Sequence, residues 1–584
     1  MYIDIVPNRR SRPTVLLREA WREGKNIRKR TIANLTHWPA AKIEALRRVL
    51  RDEPLASPQS LFVVEHSLPH GAVEAIVGTI GKIGLDTLIA AKPCRERQLV
   101  LAMIAERLIH PSSKLGTTRL WHTTTLAEEL GVTTADEDDL YDAMDWLLAR
   151  QARIEQKLAQ RHVAPGAHVL YDVTSSYYEG RTCPLACFGY NRDQKRGKPS
   201  IVYGVLTDRE GRPIAVEVYR GNTADPRTIP DQVTKLRTRF RCDQVVLVGD
   251  RGTLTQTQIT SLKQYPGLGW ISALRFEAIR KLVDTQTVDP VRVVQQSLAE
   301  ITSVQFPGER LIACYNPLVA QERHRKRTAL LEATEHDLAA ITREVARRTK
   351  TPLTKAEIGK KVGLVLHHYH VGKHFEVHID DGLLRSTRRL ASIQREAELD
   401  GLYVIRTSEP SERLSADDTV RGYKNLAVVE RLFRTLKSID ILVRPIRHHQ
   451  AKRVRAHILL CVLAYYVEWH MRQALAPLLF DDEDLAANRT TRDPVAPARP
   501  SAAAQQKKAV RVTPEGFPIH SFDTLVAALG TRCRNRCRIT SDPQSASFSQ
   551  LTEPTPLQQR ALQLLGVLFP VHGNAILKKL SKDQ

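Results

Sequence analysis

Apolar residues along the chain follow two different periods, and the change between them divides the sequence. Residues 2–33 alternate as short strands broken by turn segments, and AAKIEALRRVL (40–50) has helical spacing. From about residue 70 to 162, apolar residues recur at helical intervals. We therefore expect a small N-terminal module of strands and a helix, followed by an all-helical region.

A β-rich pattern follows the helical region. Strands are predicted at 166–180, 200–208 and 213–221, the last two as a hairpin joined by REGR. A polar helical stretch then leads to the buried-strand pattern QVVLVGD (244–250), another helix, and a strand at 268–276. The order β-β-β-α-β-α-β predicts a ribonuclease-H-like α/β core, a mixed sheet in which the first strand lies beside the fourth.

After these core strands the pattern changes. A long charged helix is predicted at 322–348, and a hairpin centred on Gly372 at 362–380. We expect these elements to form an α+β insertion that interrupts the core. DGLYVIRTS (400–408) is the predicted strand that returns to the core, and residues 422–442 are predicted to form one helix.

Residues 487–508 are rich in Pro, Ala and polar residues, which is typical of a linker. The residues after it are predicted to form a small basic module. The predicted division of the chain is 1–60 (basic N-terminal module, DNA binding), 61–162 (helical region), 163–276 (first part of the core), 277–398 (insertion), 399–482 (second part of the core), 483–510 (linker) and 511–584 (C-terminal module).

The chain carries an excess of positive charge over most of its 584 residues, with 87 Lys and Arg, 64 Asp and Glu, and a net charge of +23. This charge favours a polyanionic partner, with nucleic acid ahead of a membrane surface. The longest apolar run, at 458–467, is about half the length needed to cross a bilayer. Since the N-terminus also has no apolar signal core, we expect a cytosolic protein.

Two groups of residues raise the question of a structural metal. The cysteine pairs Cys183/Cys187 and Cys533/Cys537 have a spacing that can ligate zinc. Each pair supplies only two ligands, so we expect free thiols. His374, Glu376 and His378 would share one face of a strand, and we expect the polar face of a hairpin rather than a metal site.

Three carboxylates stand out by their placement in the predicted core. Asp172 lies within the first strand, Asp250 at the carboxyl end of the fourth, and Glu430 on a late helix. If the first and fourth strands are neighbours, the two aspartates lie side by side, and two such carboxylates need a cation between them to stay ionised. Carboxylates suit Mg²⁺, and three of them can hold two ions for an in-line phosphoryl displacement.

Each acid also has a structural interpretation. Asp172 would cap a turn, but it lies inside a strand, where Asp is disfavoured. Asp250, two residues before a glycine, is equally well explained as a turn residue. Taken alone, Glu430 is better explained as a solvated acid paired with Arg434 four residues later, a pair worth a few tenths of a kcal/mol.

The spacing around Glu430 changes this balance. Tyr423, Glu430 and Lys437 fall on one helical stripe, each roughly 10 Å from the next. The cations that flank the stripe are Lys424, Arg431 and Arg434. A ring, an acid and cations in line suit a groove in which a base stacks, a metal binds and phosphates are held.

The sequence resembles the DDE-type transposases of bacterial insertion sequences, in the subclass with an insertion between the second Asp and the Glu. YDVTSSYYEG (171–180) and VLVGDRG (246–252) resemble the two aspartate motifs. The signature Tyr-x2-Arg-x3-Glu-x6-Lys is matched by Tyr423, Glu430 and Lys437, whereas Leu426 stands at the Arg position. This departure implies the loss of one DNA contact, with Arg421 or Lys424 as its replacement. The resemblance covers about 165–475.

The resemblance implies a mechanism and its residues. Asp172, Asp250 and Glu430 would hold two Mg²⁺ (or Mn²⁺) ions per active site, and water would cut the end of the element to free a 3′ hydroxyl that attacks target DNA. The residues assigned to DNA binding are Tyr423, Lys424, Arg431, Arg434, Lys437 and Arg251. Thr174 and Asn222 are expected to line the same site, or else to be ordinary strand and turn residues.

The implied partners are double-stranded DNA, both terminal repeats and target, and a second copy of the chain in a DNA-bound synaptic complex. No membrane partner is expected, and the implied location is the bacterial cytoplasm, at the nucleoid. The basic run NIRKRTIANL (26–35) predicts that the N-terminal module, together with part of the helical region, reads the terminal repeats. Two alternatives remain: a ribonuclease-H-fold nuclease that cuts without joining, and a transposase-derived DNA-binding protein that has lost catalysis.

Overall fold

The computed structural model describes residues 1–9, 11–53, 62–484, 493, 495, 500–539 and 547–567. The chain divides into two compact units. The first consists of Met1–Leu68 and Cys533–Glu553, and the second of Pro69–Arg532 and Pro554–Gln584. The first unit therefore combines residues from the N-terminal and C-terminal parts of the chain.

The first unit contains two small sheets and a helix. Strands β1 (Tyr2–Val6), β2 (Thr14–Glu23) and β3 (Asn26–Asn34) form one sheet in that order, and the helix Ala40–Leu50 follows them. The second sheet has the order β16-β15-β4, with β4 at Phe62–Pro69, β15 at Cys533–Ile539 and β16 at Phe548–Leu551. The strands and helix predicted within residues 2–50 are confirmed.

Residues 71–162 are helical, as their apolar spacing predicted. The helices are Gly71–Lys82, Leu85–Ile89, Arg95–Ile109, Lys114–Leu120, Leu126–Glu129, Glu137–Ala149 and Gln151–His162, with a 3-10 turn at Trp121–Thr123. Arg95–Ile109 is buried along most of its length because it packs against Gly71–Lys82, Glu137–Ala149 and the late helix Ala451–Leu475. The helical region therefore shares its hydrophobic core with the late helix.

The second unit is built on a mixed sheet of eight strands in the order β10-β11-β14-β9-β8-β5-β6-β7. The strands are β5 (Ala167–Tyr177), β6 (Ser200–Asp208), β7 (Pro213–Arg220), β8 (Val245–Gly249), β9 (Leu268–Ala273), β10 (Leu298–Ile301), β11 (Arg310–Tyr315) and β14 (Leu402–Thr407). β5 pairs antiparallel with β6 and parallel with β8. The predicted placement of the first core strand beside the fourth is therefore confirmed, as is the return of residues 400–408 to the core.

Helices cover both faces of the main sheet. They are Ile229–Thr234, Gln256–Leu262, Phe276–Asp284, Pro290–Gln296, Ala416–Lys424, Leu426–Lys437 and Ala451–Leu475, with 3-10 turns at Asp225–Thr228 and Ala476–Leu478 and a π-turn at Lys235–Arg239. Successive residues of a strand point to opposite faces. Accordingly, Leu170 packs in the core that contains the helices Leu426–Lys437 and Ala451–Leu475, and Tyr171 in the core that contains Ile229–Thr234.

The insertion differs in part from the prediction. Its elements are the helices Pro317–Arg347, Lys355–Tyr369 and Leu390–Ala397, a 3-10 turn at Gly372–His374, and strands β12 (Phe375–Asp380) and β13 (Leu383–Arg388). The predicted hairpin at 362–380 is wrong, because a capping box of Thr354 and Glu357 begins a helix that continues to Tyr369. The hairpin is β12-β13, and β10 and β11 of the predicted insertion belong to the main sheet.

The proposed shared face of the histidine-rich segment is also wrong. His374 precedes β12, is almost fully buried, and its ring lies 3.0 Å from the Ser392 Oγ and 3.2 Å from a carboxylate oxygen of Glu396. Glu376 and His378 are exposed on β12. None of the eight cysteines forms a disulfide.

The C-terminal residues are divided between the two units. The helices Phe522–Gly530 and Pro556–Leu565 belong to the second unit, whereas β15 and β16 belong to the first. The helix Ala502–Val510 occupies the end of the predicted linker, and residues 485–492, 494 and 496–499 of that linker lie outside the described residues. Within the described part of the chain, no helix is long and apolar enough to cross a membrane.

We predict that Glu155→Ala lowers the free energy of unfolding by about 1 to 3 kcal/mol, because it removes a buried carboxylate and leaves the buried Val216 N–H without its acceptor. The Glu155 side chain is 1% exposed, and it accepts hydrogen bonds from Arg239 at 2.7 Å and from the Val216 N–H of β7 at 3.1 Å, so it joins the helical region to the sheet. Urea unfolding followed by tryptophan fluorescence measures the loss. The control Arg153→Ala, exposed on the same helix, should stay within about 0.5 kcal/mol of the parent. Equal losses for the two variants would contradict the prediction.

Candidate active site

Asp172 and Asp250 lie next to each other because of the register between two parallel strands. Tyr171 of β5 is paired with Gly249 of β8, and each aspartate is the next residue along the chain. Asp172 continues in β5, whereas β8 ends at Gly249. Asp250 then begins a turn, in which its Oδ1 accepts a hydrogen bond from the Thr253 N–H at 2.7 Å. One carboxylate is thus fixed by a strand and the other by a strand end.

Glu430 is presented by a helix whose other side is buried. The apolar residues of Leu426–Lys437 are buried and the helix packs against β5, whereas Glu430, Arg431 and Arg434 are exposed. Glu430 makes no ion pair within the described residues, so the alternative of a surface pair with Arg434 is not found. The side chain is free to act at the site that its helix borders.

The predicted single helix over 422–442 is wrong. Helix Ala416–Lys424 ends before Asn425, helix Leu426–Lys437 begins after it, and the chain leaves the second helix at Ser438. Tyr423 therefore lies on a different helix from Glu430, and the predicted straight stripe of three residues is interrupted.

The three acids nevertheless border one cavity of about 580 Å³. Its lining residues are Asp172, Val173, Thr174, Arg192, Asp193, Asp225, Asp250, Glu430, Phe433, Arg434, Lys437, Ser438 and Arg444. The structure thus brings together all the acids that the sequence singled out, and with them Thr174, Arg434 and Lys437.

The aspartates repel each other. Burial, together with the charges of Asp250 and Asp225, raises the pKa of Asp172 to about 7, although the Val173 N–H and the Arg192 guanidinium oppose the shift. Asp172 is therefore partly protonated at neutral pH when no cation is present. A bound cation would reverse this shift, because it favours the charged form.

Tyr423 lies within electrostatic range of all three acids despite its position on the preceding helix. Burial raises its pKa to about 12, the charges of Asp250, Glu430 and Asp172 add to the increase, and Arg251 opposes it. The phenol therefore stays neutral. Neither Tyr423 nor Arg251 lines the cavity of the three acids, and the DNA-binding roles of both residues stay predictions.

Lys437 is bound by protein groups in this structure. Its Nζ donates to the Ser175 carbonyl at 2.6 Å and to the Asp193 carboxylate at 3.0 Å. Asp193 also pairs with Arg444 at 2.5 Å and accepts a hydrogen bond from the Tyr177 N–H at 2.9 Å. The contacts among Asp193, Lys437 and Arg444 connect the loop after β5 to the helix that carries Glu430.

Other predicted residues lie outside the cavity. Asn222 lines a neighbouring cavity of about 350 Å³, which shares Arg192 and Asp225 with the first. Arg431 lines a third cavity, of about 620 Å³, whose wall also includes Arg434. Asn222 therefore does not line the cavity of the three acids. It lines a separate cavity that has two residues in common with the first.

Leu426, at the position where the resemblance expects Arg, is 9% exposed and belongs to the hydrophobic core. Arg421, one expected replacement, pairs with Asp418 at 2.9 Å. Lys424, the other, is half-buried at the end of its helix. An arginine at position 426 would bring its charge into this core, so the departure is accommodated by apolar packing.

The sequence interpretation missed four charged residues of the cavity: Arg192, Asp193, Asp225 and Arg444. Arg192 and Asp225 form an ion pair of 2.5 Å. The signal available for the two acids was their position in the loops that follow β5 and β7, two strands that run in the same direction and so end at the same edge of the sheet. Loops at one edge of a sheet converge, so charged residues in them are candidates for the same site.

The donor set fits a hard divalent cation. Carboxylate oxygens are the ligands that Mg²⁺ and Mn²⁺ take, and the mutual repulsion of Asp172 and Asp250 is the electrostatic condition that such an ion relieves. Among the described residues, no three His, Cys, Asp or Glu side chains are close enough together to enclose one ion. Binding by all three acids therefore requires a rearrangement of side chains within the cavity.

Two family models match segments of the chain. The family model of the transposase DDE domain matches residues 167–467, and that of the N-terminal domain of IS1634 family transposases matches residues 3–58. No curated protein matches the chain. Among solved structures, a piggyBac transposase in a synaptic complex with hairpin DNA is similar, with 10% identity, a TM-score of 0.33 and coverage of 79% of this chain and 76% of that chain.

The DDE-domain match covers more than half of the 584 residues. It includes every residue that lines the cavity of Asp172, Asp250 and Glu430. The chain therefore belongs to the transposases with a DDE domain.

Proposed function

We propose that the chain is the transposase of a bacterial insertion sequence, which binds the terminal inverted repeats of its element, cleaves the ends by metal-dependent hydrolysis and joins the 3′ hydroxyls to target DNA. The observation that carries this proposal is the convergence of Asp172, Asp250 and Glu430 on one cavity. The position of β5 between β6 and β8 supports a ribonuclease-H-like core.

We assign Asp172, Asp250 and Glu430 to two Mg²⁺ or Mn²⁺ ions. Such ions, when bound, activate the attacking oxygen and stabilise the leaving oxygen of an in-line phosphoryl displacement. The chain itself supplies position, which dominates phosphoryl transfer because little covalent chemistry is left to the protein. The register of β5 on β8 fixes the aspartates, and the buried side of its helix fixes Glu430.

Cations around the cavity suit the phosphates of DNA. Arg434 and Arg431 are exposed and have no ion pair within the described part of the chain, so they are available for phosphate contacts. We assign Lys424 and Arg251 to the same role, and Tyr423 to positioning a nucleotide beside the acids. Lys437 contributes its charge to the site while Asp193 holds its ammonium.

Transposition joins two ends, so we propose a homodimer in a DNA-bound synaptic complex, acting in the bacterial cytoplasm at the nucleoid. We assign recognition of the terminal repeats to the N-terminal residues. The basic strand β3, with Arg28, Lys29 and Arg30, supports this assignment, as does the match of residues 3–58 to the N-terminal domain of a transposase family.

We predict that Asp172→Asn, Asp250→Asn and Glu430→Gln each lower DNA cleavage and strand transfer by about a thousandfold or more, because each removes a metal-ligand charge worth several kcal/mol in the transition state. Duplexes that carry the terminal repeat, with and without a pre-cut end, measure the two steps separately. Asp231→Asn, an exposed acid of the same unit, is the matched control. Full activity of Asp172→Asn would refute the assignment. Cleavage without a joined product in the parent would support the nuclease alternative.

We expect Asp172→Cys to be inactive with Mg²⁺. With Mn²⁺ its cleavage activity should be at least about tenfold higher than with Mg²⁺, because thiolate is a softer ligand than carboxylate and Mn²⁺ accepts it better. Asp172→Asn, under the same conditions, should show no such recovery. Cleavage assays over a range of both ions give the ratio. A Cys variant that responds equally to both ions would indicate that Asp172 does not bind metal.

Deletion of residues 1–60 should abolish specific binding to the terminal repeats, because it removes β1–β3 and the basic residues on them. Footprinting of the element ends measures specificity, and nicking of unrelated plasmid DNA reports whether the second unit keeps its activity. An unchanged footprint would contradict the prediction.

A further inference from the structure

Strands β2 and β3 extend beyond the sheet that they share with β1. β1 pairs with residues 14–18 of β2 only. The remaining residues, 19–23 of β2 and 26–30 of β3, pair with each other, and all of them are exposed. They form a two-stranded ribbon, about 17 Å long by the rise of a strand, that is exposed on both faces. Gly24, with φ +62°, makes the tight turn at its tip.

The ribbon carries a high positive charge. Residues 19–30 contain five Lys and Arg against two Glu, a net charge of +3. Within the described residues, Arg22, Lys25, Lys29 and Arg30 make no ion pair. Unpaired cations on a narrow exposed element fit a polyanion with a groove, and the major groove of B-DNA is wide enough for a two-stranded ribbon.

The strand register separates the ribbon residues into two faces, because directly paired residues share a face. Within the ribbon, the pairs of one face are Ala20/Lys29 and Arg22/Ile27. The pairs of the other face are Glu19/Arg30, Trp21/Arg28 and Glu23/Asn26. We call the first the acid-free face. The opposite face contains both carboxylates, and one of them, Glu23, pairs with Arg28 at 2.6 Å.

We propose that this ribbon enters the major groove of the terminal repeat with its acid-free face against the base edges. The inference rests on the proposed function, which makes the terminal repeat the specific DNA of this chain. Arg22 and Lys29 donate to guanine O6 and N7, the acceptors that such side chains read in this groove. Ala20 lets the backbone approach closely, and the exposed Ile27 meets thymine methyl groups.

Cations on exposed strand edges also serve to prevent edge-to-edge aggregation. That role requires charge on either face and no preference between them. Groove binding requires the cations of the acid-free face in particular. The two roles are therefore separated by double variants that remove equal charge from opposite faces.

The test compares full-length Arg22→Ala/Lys29→Ala with full-length Arg28→Ala/Arg30→Ala in binding to a duplex of the terminal repeat. Removal of two base contacts should weaken binding about a hundredfold. The control removes two charges from the opposite face and should weaken it less than about tenfold. Methylation of guanine N7 should interfere with binding of the parent and not with residual binding of Arg22→Ala/Lys29→Ala, since N7 lies in the major groove.

Equal losses in the two variants, or interference by guanine N7 methylation that persists in Arg22→Ala/Lys29→Ala, would overturn the placement of the acid-free face in the groove. Unchanged affinity in both variants, with a parent that binds and cleaves the repeat, would overturn the inference and leave the proposed function standing. A parent that neither binds nor cleaves the repeat would overturn both. Metal-dependent cleavage by the parent is measured in the same samples, so the two failures are distinguishable.

Discussion

The parallel pairing of β5 with β8 is the constraint on which the site depends. It holds Asp172 and Asp250 at the same level of the sheet, although their charges repel and the pKa of Asp172 rises to about 7. The sheet tolerates this repulsion because β6 and β8, on either side of β5, are buried along their whole length, and that apolar burial stabilises the register. The core therefore imposes an unfavourable charge pair that a cation relieves.

The charged residues of the cavity differ in how far they are already engaged. Lys437 and Arg444 hold Asp193, which joins the loop after β5 to the Glu430 helix, and Arg192 holds Asp225, which joins that loop to the loop after β7. Glu430 and Arg434 have no ion-pair partner within the described residues. An acid and a cation on adjacent turns of one helix are thus left available for a substrate and its metal.

Much of the core could be predicted from the sequence, because the buried strands and the helical region have clear periods. Their order placed the first strand beside the fourth and so identified the aspartate pair. The break at Asn425 was missed because its backbone stays helical, with φ −65° and ψ −15°, and neither Gly nor Pro marks it. Asp193 and Asp225 were missed because turn-rich segments have no period that assigns a direction to a side chain. The helix Lys355–Tyr369 was missed because the histidines at its end resemble a polar strand.

The pairing of β4 with β15 joins residues separated by more than 460 positions, a distance at which local patterns carry no information. It also sets an order of assembly. A chain emerging from the ribosome exposes β1–β4 long before β15 and β16 are made, whereas all eight strands of the main sheet lie upstream of them. The first unit can be completed only at the end of synthesis. A chain that terminates before residue 533 retains every residue that lines the cavity but leaves β4 without its partner strand.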